Sequence, residues 1–227
     1  MTMTNDISEL VNNISLSPNH SGKRIFDVTR ITPHVVVGEF DALTVAKWFN
    51  DKARQASANY IIGKNGEVVL NVKETNRAWT SGSYDNDQRA ITIECSSNAK
   101  NHNLLNDKVF EKLIDLCVDI CKRYGKTKAV YFANKKDALS YQLKPDEMLF
   151  TKHNFFQNVL CPDKWLEDNY SMFIQRINDK LSGTIVNKDD NKLYRVQVGA
   201  FRNHDNAIAL CNKLKNDGYV DAFIKEV

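Results

Sequence analysis

Met148-Leu149-Phe150-Thr151-Lys152-His153-Asn154-Phe155-Phe156-Gln157-Asn158-Val159-Leu160-Cys161-Pro162 decides how the rest of this chain is read. Its first four residues read as a buried strand, which puts His153 where that strand ends. Cys161-Pro162 stops the turn that follows, because proline has no backbone N–H to donate. A neutral imidazole and a thiolate are both zinc ligands by chemistry. A catalytic zinc, however, usually takes three protein ligands and keeps one position for water, so a third ligand must come from elsewhere.

On the C-terminal side, Trp165 to Leu181 has the apolar spacing of an amphipathic helix, and a polar linker follows at 183–192. Beyond it, Leu193 to Phe201 reads as a strand, Asn203 to Asp217 as a helix stopped by Gly218, and Tyr219 to Val227 as a second strand. Such a βαβ unit of about 35 residues is smaller than a core that stands alone. On the N-terminal side, Ala129–Ala133 is a strand, and Asp107 to Tyr124 is the longest helix, ended by Gly125. Cys117 and Cys121 lie at i, i+4 on its apolar face and read as core.

Further upstream, Ala90–Cys95 is a short strand ending in a carboxylate, Glu94. Trp79 opens a polar loop, Thr80 to Gln88, long enough to border a cleft. Asn59–Leu70 is a hairpin, with Asn65-Gly66 suited to a tight primed turn. Asp41 caps a helix from Ala42 to about Arg54. Arg24–Val37 reads as one or two strands interrupted near Pro33, and His34 lies inside it. Residues 1–22 read as a flexible or loosely docked arm. Taken alone, His34 is an ordinary strand histidine and Glu94 a solvated carboxylate. Strands alternating with helices, plus one hairpin, predict an α/β fold: a mixed central sheet flanked by helices.

The 227 residues carry 31 basic against 28 acidic side chains with no dense basic block, which gives no footing for nucleic acid. No apolar run is long enough to insert in a membrane. The N-terminus has no apolar h-region, so the chain is expected to be made in the cytoplasm and to stay there until something releases it. Five cysteines in such a chain favour free thiols over a disulfide framework.

The ordered blocks ITPH (31–34), NYIIGKNGEV (59–68), RAWTSGS (77–83), RAITIE (89–94) and H-x7-CP (153–162) resemble the zinc-dependent N-acetylmuramoyl-L-alanine amidases. This is the superfamily of the peptidoglycan-recognition proteins, and the likeness is greatest to clostridial phage endolysins and autolysins. The resemblance implies a catalytic domain over 1–182, with His34, His153 and Cys161 as zinc ligands and Glu94 as general base. It also implies Asn59 and Trp79 as cleft-lining, substrate-binding residues, with Trp79 open between a wall-sugar contact and packing. A tyrosine that serves as base in other members corresponds to Ala58, and a lysine two residues before the third ligand corresponds to Val159. Val35 stands where a second histidine is frequent, and Asp163 where glycine follows Cys-Pro.

The tail YRVQVGAFRNHDNAIALCNKLKNDGYVDAFI is similar to one half of a SPOR module. That implies a wall-binding unit over 193–227 in which Gln197 and Phe201 contact peptidoglycan, and a homodimer that pairs two tails into one complete module. The function implied is hydrolysis of the bond between N-acetylmuramic acid and L-alanine, by an endolysin that reaches the wall through a membrane pore. The alternatives are a non-catalytic peptidoglycan-binding protein and a cytosolic wall-recycling amidase.

Overall fold

Two β-branched segments form the centre of the sheet. In the computed structural model, which describes residues 7–100, 103–184, 197–219 and 222–226, Arg30–Val37 pairs in parallel with Ala90–Ser97 along its full length. In chain order the strands are β1 (Asn13–Ile14), β2 (His20–Lys23), β3 (Arg30–Val37), β4 (Tyr60–Ile62), β5 (Val68–Leu70), β6 (Asn76–Ala78), β7 (Ala90–Ser97), β8 (Lys128–Tyr131) and β9 (Glu147–Phe150). The helices are α1 (Ala42–Phe49), α2 (Tyr84–Arg89), α3 (Asp107–Arg123), α4 (Lys135–Ser140), α5 (Asp163–Leu181) and α6 (His204–Asn216). Seven strands make one mixed sheet in the order β1-β5-β4-β7-β3-β9-β8, and β2 pairs with β6 alone. Among the described residues only the β4–β5 hairpin is antiparallel within the large sheet.

Both faces of the sheet are covered, as the alternation of elements predicts. On one face α3 and α5 bury Leu113, Ile114, Ile120, Phe173 and Ile177 against Tyr60, Ile62, Ile91 and Ile93. On the other, α1 places Val45, Ala46 and Phe49 on Ile61 and Val69. A fully buried Leu, Ile or Phe contributes about 1.5–3 kcal/mol, so these faces outweigh any of the exposed ion pairs. Cys117 and Cys121 are buried thiols of the core. Among the described residues no helix is long and apolar enough to cross a membrane.

Several local expectations give way to tertiary contacts. The arm from residue 7 is docked: β1 adds an edge strand beside β5, and Ser17 and Asn19 are buried with their side chains bonded to the Phe49 carbonyl. Polar composition disguised it, since what this segment buries is its hydrogen-bonding groups. β3 runs unbroken through Pro33, because its pairing with β9 covers only Arg30 and Ile31 and the missing N–H falls beyond that ladder. In the hairpin only Gly66 has positive φ (+82°), following a turn closed by Gly66 N–H to Gly63 O. That is a three-residue bulged loop and not the primed turn. α1 stops at Phe49, with a separate turn of 3₁₀ helix at Lys52–Arg54. The polar stretch 80–88 contains α2, capped by the Ser83 hydroxyl accepting from Asn86 N–H.

The chain divides into two compact units between residues 186 and 187. In the second, α6 forms where the sequence places it, with Asn203 as its cap. Of the two expected flanking strands, 193–196, 220, 221 and 227 lie outside the described residues, and the described parts, 197–201, 219 and 222–226, are not strand. Val198, Phe201, Tyr219 and Phe223 are all exposed, and α6 buries no residue.

Candidate metal centre

The parallel ladder sets one half of the site. His34 on β3 stands in register with Glu94 on β7, which stands in register with Ile61 on β4, so the three side chains share one face of the sheet. The other half comes from the segment after β9. A 3₁₀ turn at His153–Phe155 presents His153, and the chain then loops to Cys161 immediately before α5. Asn154 N–H donates to Cys161 O at 3.1 Å, tying the two ends of that loop together.

The three side chains converge from 127 and 8 residues apart. Cys161 Sγ lies 3.6 Å from His34 Nδ1, the two imidazole centroids are 4.7 Å apart, and one donor atom of each residue lies within 4.8 Å of the others. Two zinc bonds laid end to end span at most about 4.4 Å, so small side-chain rotations close the set. His34 is buried and its Nε2 has no hydrogen-bond partner. His153 Nε2 is 3.0 Å from Gln157 Oε1, which leaves Nδ1 free of that contact. Among the described residues this is the one His/Cys/carboxylate cluster of metal-binding size.

The electrostatics fit a cation. Burial, and then the neighbouring His153, hold the His34 imidazole well below its usual range, in the neutral form that ligates. Burial pushes the Cys161 thiol up, against a backbone hydrogen bond from Val35. A thiolate at that position therefore calls for a positive charge beside it. The Glu94 carboxyl is pushed up to about 7 by burial, with the charge of Arg54 pulling the other way. Two histidines and a cysteine with a carboxylate on the adjacent strand are a donor set that would suit a zinc ion with one position left for water.

The remaining expected site residues have surroundings of their own. Asn59 does not line the cleft: it is fully buried, with Oδ1 accepting from Thr92 N–H and Arg24 Nη2, and Nδ2 donating to Val72 O and Lys73 O. Its polar groups are consumed in joining β4, β7 and the turn after β5, leaving none for a substrate. Trp79 is half-buried, and its indole N–H donates to Ser21 Oγ at 2.6 Å. Ala58 is buried, while Val159 is at the surface and brings no charge. Gln197 and Phe201 are exposed in the second unit. Sequence reasoning missed Gln157, although it lies four residues past His153 in the opening segment. It also missed Asn86, whose amide bonds both Thr32 Oγ1 and Thr151 Oγ1, each two residues before a histidine of the site.

Residues 26–163 match the family described as N-acetylmuramoyl-L-alanine amidase, and residues 167–226 match the SPOR domain. The second match begins inside α5, whose Tyr170, Phe173 and Ile177 are buried in the first unit. Among solved structures, a mutant endolysin from Bacillus subtilis is 17% identical with a TM-score of 0.51, over 74% of this chain and 99% of its own. The hydrolase AmiA of Staphylococcus aureus, in complex with its ligand, gives 10% identity and a TM-score of 0.53 over 74% and 82%. A selenomethionine AmpD structure gives 17% and 0.51 over 77% and 99%. At these identities the likeness is one of fold. No curated protein matches the chain.

Proposed function

The chain belongs to the N-acetylmuramoyl-L-alanine amidase family and is a peptidoglycan amidase with a zinc site, and from that premise we propose how its own residues divide the work. The observation that carries the proposal is the meeting of His34, His153 and Cys161 with Glu94 on the adjacent strand. His34 and His153 would hold the metal through imidazole nitrogens, and Cys161 would hold it as thiolate. When bound, zinc supplies Lewis acidity toward the scissile carbonyl and brings the pKa of a coordinated water toward about 7. Glu94 takes the proton from the attacking water as its oxygen bonds to the lactyl carbonyl carbon. It then returns that proton to the L-alanine nitrogen as the C–N bond breaks. A carboxylate beside the metal can take the proton from the water and hand it on to the leaving nitrogen.

The finer identity proposed is an endolysin of clostridial phage type, acting on the wall after release through a membrane pore. The five ordered sequence blocks and the wall-binding character of the tail support it. The tail is proposed to pair with a second copy, which would cover Val198, Phe201 and Tyr219, exposed in the single chain. Sedimentation at micromolar concentration tests this, and a monomer would remove the dimer.

The function itself is tested by digesting purified Gram-positive peptidoglycan with wild type and Cys161→Ser. Mass spectrometry should find peptides with free N-terminal L-alanine and intact glycan for the wild type only. A zinc-loaded wild type that binds the wall and frees nothing would replace the enzyme with a non-catalytic peptidoglycan-binding protein.

A further inference from the structure

His153 sits outside the sheet, so something other than a ladder must fix it. Its two neighbours in sequence point at one acceptor. Lys152 Nζ lies 2.9 Å from Glu167 Oε1, and Asn154 Nδ2 donates to the same oxygen at 2.7 Å. Lys152 is nearly buried, its ammonium also bonded to Ala133 O and set 4.9 Å over the Phe155 ring. Glu167 lies on the second turn of α5, the helix that begins just after Cys161. That helix is a firm reference: Leu166, Tyr170 and Phe173 are fully buried, and the Tyr170 hydroxyl donates to Thr151 O at 3.1 Å. One carboxylate thus grips the residues on either side of one candidate ligand, from the helix whose entry carries another.

We propose that Glu167 is a positioning residue for the metal, fixing the His153 imidazole relative to Cys161 through Lys152 and Asn154. The inference rests on the zinc reading of His34, His153 and Cys161. A partly exposed ion pair with only a general stabilising role is worth about 0–1 kcal/mol and has no reason to affect metal affinity. The bracketing of His153 is what sets this pair apart from the Glu111–Arg176 pair, which ties α5 to α3.

The test uses the full chain as wild type, Glu167→Ala, Glu167→Gln, Asn154→Ala and Glu111→Ala. Zinc affinity is measured by competition with a chromophoric chelator, and ligand geometry by the visible absorption of the cobalt-substituted protein. Glu167→Ala should weaken zinc about 10–100-fold and change the cobalt bands, as expected for loss of an outer partner of a ligand. Glu167→Gln keeps an acceptor at the same place and should recover most of the loss. Asn154→Ala should fall between, and Glu111→Ala should bind zinc as wild type does. If Glu167→Ala fails to fold by circular dichroism, Asn154→Ala decides. Affinities for all folded Glu167 and Asn154 variants within about twofold of wild type, with unchanged cobalt bands, would overturn the positioning role. A wild type that binds no zinc would instead overturn the metal reading, and the positioning role with it.

Discussion

The two halves of the metal centre are held by different physics. His34 and Glu94 lie in the middle of the sheet, on strands paired over eight register positions, and the backbone ladder alone fixes their separation. His153 and Cys161 lie in an irregular segment whose ties are a few turn hydrogen bonds and side-chain clamps from Gln157 and Glu167. A ladder spreads its hold over many bonds, so no single side chain is essential to it. A clamped loop concentrates its hold in a few side chains, each of which can be removed. The lesson is that the strand half should tolerate substitutions in its surroundings, while the loop half should register each one as a change in metal affinity.

The sharpest test separates chemistry from metal holding within the strand half. Glu94→Ala removes the proposed proton carrier and should lower kcat by about 10²–10⁴-fold, with zinc affinity retained. Loss of zinc along with activity would show that Glu94 helps hold the metal, and the contrast would need redrawing. The same residue gives a pH test. Folding raises the Glu94 carboxyl to about 7, so the fold favours its protonated form. That contribution is present below the ordinary carboxyl range and is lost as pH rises through about 7. In metal-free protein, Glu94→Gln should therefore match wild type at pH 4 and exceed it at pH 8, by up to ~3 kcal/mol in denaturant melts. Equal stability at both values would mean that Glu94 is solvated, and zinc should shrink the gap by favouring the carboxylate.

What could be read in advance follows the same division. β3, β7 and α3 were legible because β-branched runs and 3.6-residue spacing reflect what those elements bury. The ligand set was legible only through the five ordered blocks, since nothing local in RITPHVVV says that His34 will meet residues more than a hundred positions away. The docked arm was illegible because Ser17 and Asn19 bury hydrogen-bonding groups, for which hydrophobic periodicity gives no signal. Asn59 misled for the same reason: a polar residue next to a strand suggests a cleft, whereas here it closes the hydrogen bonds of three backbone segments. α2 had a readable signal in Ser83, whose hydroxyl caps Asn86 N–H, but a polar, glycine-containing stretch hid it.

Asn86 tests how far the ladder suffices. It is fully buried, donates to Thr32 Oγ1 at 3.1 Å and Ser81 Oγ at 3.2 Å, and accepts from Thr151 Oγ1 at 3.1 Å. Asn86→Ala should cost about 1–3 kcal/mol of stability through unsatisfied hydroxyls. Zinc affinity of the folded protein should nonetheless hold, because β3 remains paired with β7. A drop in affinity would mean that the strand half also depends on single side chains.

The smallest effect expected is at Gln157, and it bears most directly on the loop half. Its Oε1 faces His153 Nε2 at 3.0 Å, and its side chain lies against Gly82, which leaves no room there for a β-carbon. The amide thus bonds the imidazole on one side, and packing against the 80s segment holds the amide. Gln157→Ala leaves the backbone turn intact, including Gln157 N–H to His153 O. The loss should appear in metal affinity, about tenfold, with little change in the melting of the metal-free protein. Gln157→Glu keeps the acceptor and adds charge, so it should bind zinc at least as well as wild type. If both variants bind zinc alike, the contact is incidental, and the side-chain hold on the loop half would then come from Glu167 of α5.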